Sequence, residues 1–141
     1  MSESSQSPLM GYHELLGMRV VEWSEGVAVV ELVADERHLN RSGIVHGGVL
    51  TSMLDSALSL AGLHCELPGR VRRGMTLSLT TTFVGPAGPG LLRATGRVRG
   101  GGRKIYMASG EVTGSGGELM AMAEGAFRRR AGSESPEGVP E

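Results

Sequence analysis

The alternation of apolar and polar positions divides the chain into one stretch of helical period and several of strand period. From Gly47 to about Leu63, at 100° per residue, Leu50, Met53, Leu54, Ala57, Leu58 and Ala61 share one face. The neighbouring face carries Gly48, Ser52, Asp55, Ser59 and Gly62, where an ordinary solvent-facing side would carry Lys and Glu. Asp55 is the single charge on this helix. Elsewhere the period is two. Met18 to Trp23 and Gly26 to Val33 read as strands joined at Ser24-Glu25-Gly26, the second with Ala28, Val30 and Leu32 on one face and Val27, Val29 and Glu31 on the other. Met75, Leu77, Leu79, Thr81 and Phe83 alternate with Thr76, Ser78, Thr80 and Thr82, the pattern of a half-buried strand. After a turn over Gly85 to Gly90, three further strands are predicted over Leu91 to Arg99, Arg103 to Thr113 and Glu118 to Arg128, separated by glycine-rich turns. Tyr12 to Gly17 is predicted as a short helix.

These elements predict an α+β fold: one long central helix and about six strands, the last four in an antiparallel meander. Composition changes the picture of the core. Aromatic residues are only 4% of the chain, against 23 glycines and 8 methionines, so the interior must be aliphatic, alanine-rich and built on close backbone contact. That suits a sheet curving tightly over a helix, with glycines where strands bend or the layers meet. A length of 141 residues fits one domain, placed at residues 10–130. The polar ends, residues 1–9 and 131–141, are expected to be disordered.

Charge and cysteine usage narrow the partners. A formal net charge of −1 argues against a general nucleic-acid or anionic-membrane binder. The lone Cys65 permits no intrachain disulfide. No apolar run approaches the ~18 residues of a membrane span and no leader is visible, so a cytoplasmic protein is expected.

Chemistry concentrates where the polar turn Asn40-Arg41-Ser42-Gly43 meets the helix through His46-Gly47-Gly48. The first turn of a helix leaves backbone N–H groups unpaired and carries about half a positive charge. The N–H groups of Gly47 and Gly48 are therefore candidates to polarise a carbonyl and hold an oxyanion, one such donor being worth ~10²–10³ in rate. The competing reading is that both glycines merely permit a tight turn. Asp55 adds an acid, as nucleophile forming an anhydride or as general base. It lies eight residues beyond Gly47, about 12 Å along a helix, too far for one side chain to close to a near-attack distance of ~3–3.5 Å. If both serve one carbonyl they must come from different subunits, and a two-fold dimer with antiparallel helices would supply them.

The pattern Asn40-x-x-Gly43-x-x-His46-Gly47-Gly48, then Asp55, then Gly74-Met75-Thr76, resembles the hotdog-fold acyl-CoA thioesterases of the phenylacetic-acid-degradation (PaaI-like) type, over essentially Tyr12 to Arg128. The resemblance implies a helix wrapped by a curved sheet, a homodimer with interfacial active sites, commonly a dimer of dimers (a homotetramer), and neither cofactor nor metal. It implies Asp55 as nucleophile or base and the Gly47 N–H as oxyanion donor. Asn40 would orient the water or the thioester, and Thr76 the water or the Asp55 carboxylate. His46 would touch the thioester region, steady the helix start, or be a hydrogen-bonded structural histidine. Gly48 is placed with substrate binding. Arg97, Arg103 and Lys104 are the expected contacts for CoA phosphates, gathered by the hairpin through Gly100 to Gly102. Met53, Leu54 and Leu58 would line an acyl pocket or simply fill the core.

The function expected on these residues is hydrolysis of an acyl- or aryl-acyl-CoA thioester. The alternatives are a hotdog-fold enoyl-CoA hydratase or dehydratase, and a non-catalytic acyl-CoA-binding protein.

Overall fold

The computed structural model describes residues 7–141. After a short helix α1 (Tyr12–Leu16) come strands β1 (Arg19–Ser24) and β2 (Val27–Ala34), a single 3-10 turn at Glu36–His38, and the long helix α2 (Gly47–Ala61). Strands β3 (Arg70–Val71), β4 (Gly74–Phe83), β5 (Gly90–Gly101), β6 (Ile105–Gly114), β7 (Leu119–Arg129) and β8 (Val139–Pro140) complete the chain. Six strands form one antiparallel sheet in the order β1-β2-β5-β6-β7-β4, wrapped over one side of α2. No helix among the described residues is long and apolar enough to cross a membrane.

The apolar face read from the sequence is the one α2 buries. Leu50, Met53, Leu54, Ala57, Leu58 and Ala61 all lie in the core, against Ala28, Val30 and Leu32 of β2, Leu92 and Ala94 of β5, and Val112 of β6. Met53, Leu54 and Leu58 are fully buried there, so of their two readings the structure selects core packing. The layers meet so closely that a Cβ on Gly96 would stand 2.4 Å from the Ala57 carbonyl oxygen. At the helix C-terminus the Tyr106 ring occupies the space beside Gly62, and its hydroxyl donates to the Ser59 carbonyl at 2.7 Å. Arg129 lies over the same ring, 4.4 Å from its centroid, and donates to the Gly62 carbonyl. Together they satisfy helix-end carbonyls that would otherwise be stranded in the interior.

Three expectations are corrected. The last four strands are not a meander: β5, β6 and β7 are, but β4 crosses over to pair with β7 at the sheet edge, while β5 pairs with β2. Strand β4 also does not keep one face. A register shift between Thr76 and Ser78 leaves Met75 opposite Arg128 on the outer surface, while Leu79, Thr81 and Phe83 face Gly125, Ala123 and Ala121 on the helix side. Thr76, opposite the buried Phe127, thereby joins the helix side too.

The third correction concerns the ends. Residues 131–141 do not stand apart from the domain. β8 pairs with β3, Ser133 is buried, and the Arg72 guanidinium donates to the carbonyls of Ser133 and Glu134. Backbone groups, with little side-chain hydrophobicity, make these bonds, so a Gly-, Ser-, Pro- and Glu-rich composition conceals them. Of the N-terminal residues expected to be disordered, 1–6 lie outside the described residues, and Leu9 is buried in the core.

Candidate active site

The start of α2 is held by its own N-cap. His46 has extended geometry, and its Nδ1 accepts from the Gly48 N–H at 2.8 Å, which fixes that nitrogen as unprotonated. Of the roles open to His46, the structure supports steadying the helix start. This also uses the Gly48 N–H, so Gly48 offers no free donor, and a Cβ there would sit 3.0 Å from His46 Nδ1. Gly47 is different. Among the described residues no acceptor takes its N–H, and it sits against Phe83, whose ring would be 3.1 Å from a Cβ. The helix start therefore presents one unpaired N–H beneath an aromatic ring from β4.

The turn before it is built on Asn40. Its Oδ1 accepts from the N–H of Ser42 at 2.8 Å and of Ile44 at 3.3 Å, and its backbone N–H donates to the Ile44 carbonyl. The carboxamide oxygen is thus committed to loop structure. The Nδ2 group has no acceptor among the described residues.

Asp55 lies two helical turns further along, half-buried, and Thr76 Oγ1 donates to its Oδ1 at 2.6 Å. A hydrogen bond this short from a hydroxyl to a carboxylate is of the charge-assisted kind. Asp55 Oδ2 has no partner among the described residues. Around this pair opens a cleft of about 1040 Å³ that follows the second half of α2 through Ser59, Leu60 and Leu63. Leu9, Met10, Trp23 and the connector Cys65 to Arg73 complete its lining.

Other sequence-predicted residues fall elsewhere. Arg97 opens with Arg99 onto a separate cleft on the outer face of the sheet, among Thr80, Thr82, Ser109 and Glu124. Arg103 and Lys104 lie at the β5–β6 turn, where their charges help hold the Glu134 carboxyl below its usual range, after the N–H bonds it accepts from its own backbone and Gly132. The hairpin expected to gather the three cations separates them, and Arg70, Arg72 and Arg73 line the Asp55 cleft instead. The small face of α2 is also less open than its sequence suggests. Tyr106 covers Gly62, and the Tyr12 hydroxyl is 2.7 Å from Ser52 Oγ, which itself donates to the Gly48 carbonyl.

Phe83 and Trp23 are not among the candidate site residues, and Arg72 is one of several basic residues weighed for the CoA phosphates but not favoured. Phe83 is one of only two phenylalanines, and an aromatic residue closing a predicted strand was the available signal.

A long helix enfolded by a six-stranded antiparallel sheet, with its unpaired N-terminus and its single acid at the open margin, defines a hotdog-fold protein. Over residues 42–121 the sequence matches the thioesterase superfamily. It is 29% identical to the acyl-coenzyme A thioesterase PaaI of Escherichia coli K12, over 84% of this chain and 81% of that protein. The solved E. coli PaaI protein from the phenylacetic acid degradation operon superposes with a TM-score of 0.73 at 28% identity, covering 83% of this chain and 82% of that one. Conserved protein PA5202 of Pseudomonas aeruginosa gives 0.75 at 30% identity, covering 86% and 94%. The chain belongs to the thioesterase superfamily: it is a PaaI-like thioester hydrolase.

Proposed function

We propose that the protein hydrolyses an acyl- or aryl-acyl-CoA thioester, in sites shared between two copies of the chain. The reading is carried by the geometry of α2, an unbroken helix from Gly47 to Ala61 with its free N–H at one end and Asp55 two turns away. About 12 Å of helical rise lies between them, so one copy cannot bring both to one carbonyl. Antiparallel pairing of two such helices gives each site the Gly47 N–H of one copy and the Asp55–Thr76 pair of the other.

In that arrangement the thioester carbonyl oxygen receives the Gly47 N–H, supported by the positive end of the α2 dipole. Thr76 donates to Oδ1 and so fixes the orientation of the carboxylate. Oδ2 then drives attack on the carbonyl carbon, by taking a proton from water or by bonding to it directly. The carbon–sulfur bond breaks, CoA leaves as thiolate, and the proton removed from water returns to the sulfur. In the direct case, water afterwards hydrolyses the Asp55 anhydride.

Thiol release over a panel of acyl-CoA substrates tests the reaction, and Asp55→Asn tests the mechanism. The variant should lose at least about 10³-fold in kcat. Near wild-type turnover by Asp55→Asn would overturn the mechanism. Loss of enoyl absorbance without thiol release would replace hydrolysis by hydration. A single turnover in heavy-oxygen water separates the two roles, because only the anhydride route leaves label in the Asp55 carboxyl.

A further inference from the structure

The connector from Cys65 to Arg73 forms part of the wall of the Asp55 cleft. Apart from the two residues of β3 it is irregular, with a turn at Pro68-Gly69. Such a stretch has few backbone bonds of its own to hold its shape. Its bonds go instead to the segment 133–141. β3 pairs with β8, the Glu141 N–H donates to the Gly69 carbonyl at 3.0 Å, and the Arg73 N–H donates to Ser133 Oγ at 3.1 Å. Arg70 Nε donates to the Glu137 carbonyl at 2.7 Å and Nη2 to the Gly138 carbonyl at 2.8 Å.

Arg72 sits at the centre of this seam. It is 7% exposed, lines the cleft, and forms no ion pair among the described residues. Its guanidinium is satisfied by carbonyls: Ser133 at 3.1 Å, Glu134 at 2.9 Å and, more weakly, His64 at 3.5 Å. A buried cation held chiefly by the carbonyls of one segment ties the cleft wall to that segment. If the carbonyls left, the charge would have to turn toward water and take the wall with it.

The cleft follows α2 from Asp55 past Ser59 and Leu60 to Leu63, where the chain turns into the connector. That run is about 12 Å. An extended octanoyl chain fits it, and a hexadecanoyl chain overshoots it. We infer that the segment 133–141 braces the connector as the end wall of the acyl cleft, with Arg72 as the positioning residue, and that this wall restricts the enzyme to acyl groups of medium length. The inference rests on the acyl-CoA reading above.

Two variants attack the seam from opposite sides. Arg72→Gln removes the cation. Gly138→Val leaves Arg72 untouched but places a side chain where a Cβ would stand 2.4 Å from the Val71 carbonyl oxygen, at a residue with φ +67°, so β8 must part from β3. The ratio of kcat/KM for hexadecanoyl-CoA to that for octanoyl-CoA should rise at least about fivefold in both, with Arg72→Lys between them and wild type. A ratio unchanged in Gly138→Val, or a parallel loss on both substrates, overturns the inference. Should Arg72→Gln not fold, Gly138→Val alone decides. Should wild-type protein release thiol from no acyl-CoA, the acyl-CoA reading fails, and calorimetric binding of S-alkyl-CoA thioethers decides the wall. An affinity that drops from octyl to hexadecyl in wild type, and no longer drops in Gly138→Val, supports it; a flat wild-type series overturns it.

Discussion

Thr76 Oγ1 donates to Asp55 Oδ1 across 2.6 Å, joining a hydroxyl on the edge strand of the sheet to the one carboxylate on the central helix. The contact depends on the irregularity after Thr76, which puts this residue on the helix side together with Leu79 rather than on the outer surface with Met75. A substitution that keeps the volume of Thr76 but removes its hydroxyl therefore isolates one interaction. Thr76→Val should lower kcat about 10- to 100-fold, the worth of a hydrogen bond to a charged group, while substrate affinity changes little. Thr76→Ser should restore most of the rate. Steady-state kinetics of the three proteins checks this, and an unchanged kcat in Thr76→Val would sink the assigned role.

We propose that His46 acts on the helix rather than on the thioester. Its Nδ1 caps Gly48, so His46→Ala should cost about 1 kcal/mol of stability, the ordinary value of an N-cap. His46→Asn, which caps through a side-chain oxygen, should recover most of that loss. Thermal unfolding at fixed protein concentration reads the change. If His46→Asn, at restored stability, were still slower in thiol release by roughly a hundredfold or more, the imidazole would instead belong on the substrate.

Tyr106 links the fold to alkaline pH. Burial, offset in part by the nearby Arg129 charge, pushes its phenol up to about 12. Between the unfolded value near 10 and the folded value, the unfolded chain has already lost this proton while the folded chain keeps it. The contribution is fully present below pH ~10 and is lost as pH rises toward ~12, on the order of 2–3 kcal/mol in all. Tyr106→Phe should be less stable at neutral pH by about 1 kcal/mol for the missing hydrogen bond, yet lose less stability over that alkaline range. Denaturant unfolding at several pH values measures both. Parallel pH profiles for the two proteins would contradict the assignment.

Much of the central helix was legible in the sequence because its signals are local. The apolar face of α2 follows from spacing alone, and a lone acid on a small face marks Asp55 without any knowledge of the sheet. Strand existence was legible for the same reason, but strand neighbours were not. Consecutive strands usually pair, and nothing in the residues of β4 announces that it passes over to β7. The shift after Thr76 is equally silent, since an alternating sequence gives no sign of where one residue is skipped. The C-terminal segment misled for a chemical reason. Disorder is inferred from missing hydrophobic side chains, whereas residues 133–141 are held chiefly through their carbonyls by Arg70 and Arg72, cations that composition assigns to solvent. The resemblance contributed the roles of Asn40, Gly47 and Thr76, which spacing alone left open.

The central claim is that Gly47 and Asp55 of different copies build one site. Gly47→Pro removes the N–H at a position where proline suits a helix start, after a residue whose ψ of 135° accommodates it. Asp55→Asn removes the acid. Each variant alone should be nearly inactive. A purified heterodimer of one Gly47→Pro chain and one Asp55→Asn chain holds one doubly impaired site and one intact site, and should show about half of wild-type thiol release. A heterodimer as inactive as its two parents would mean that each copy builds its site alone.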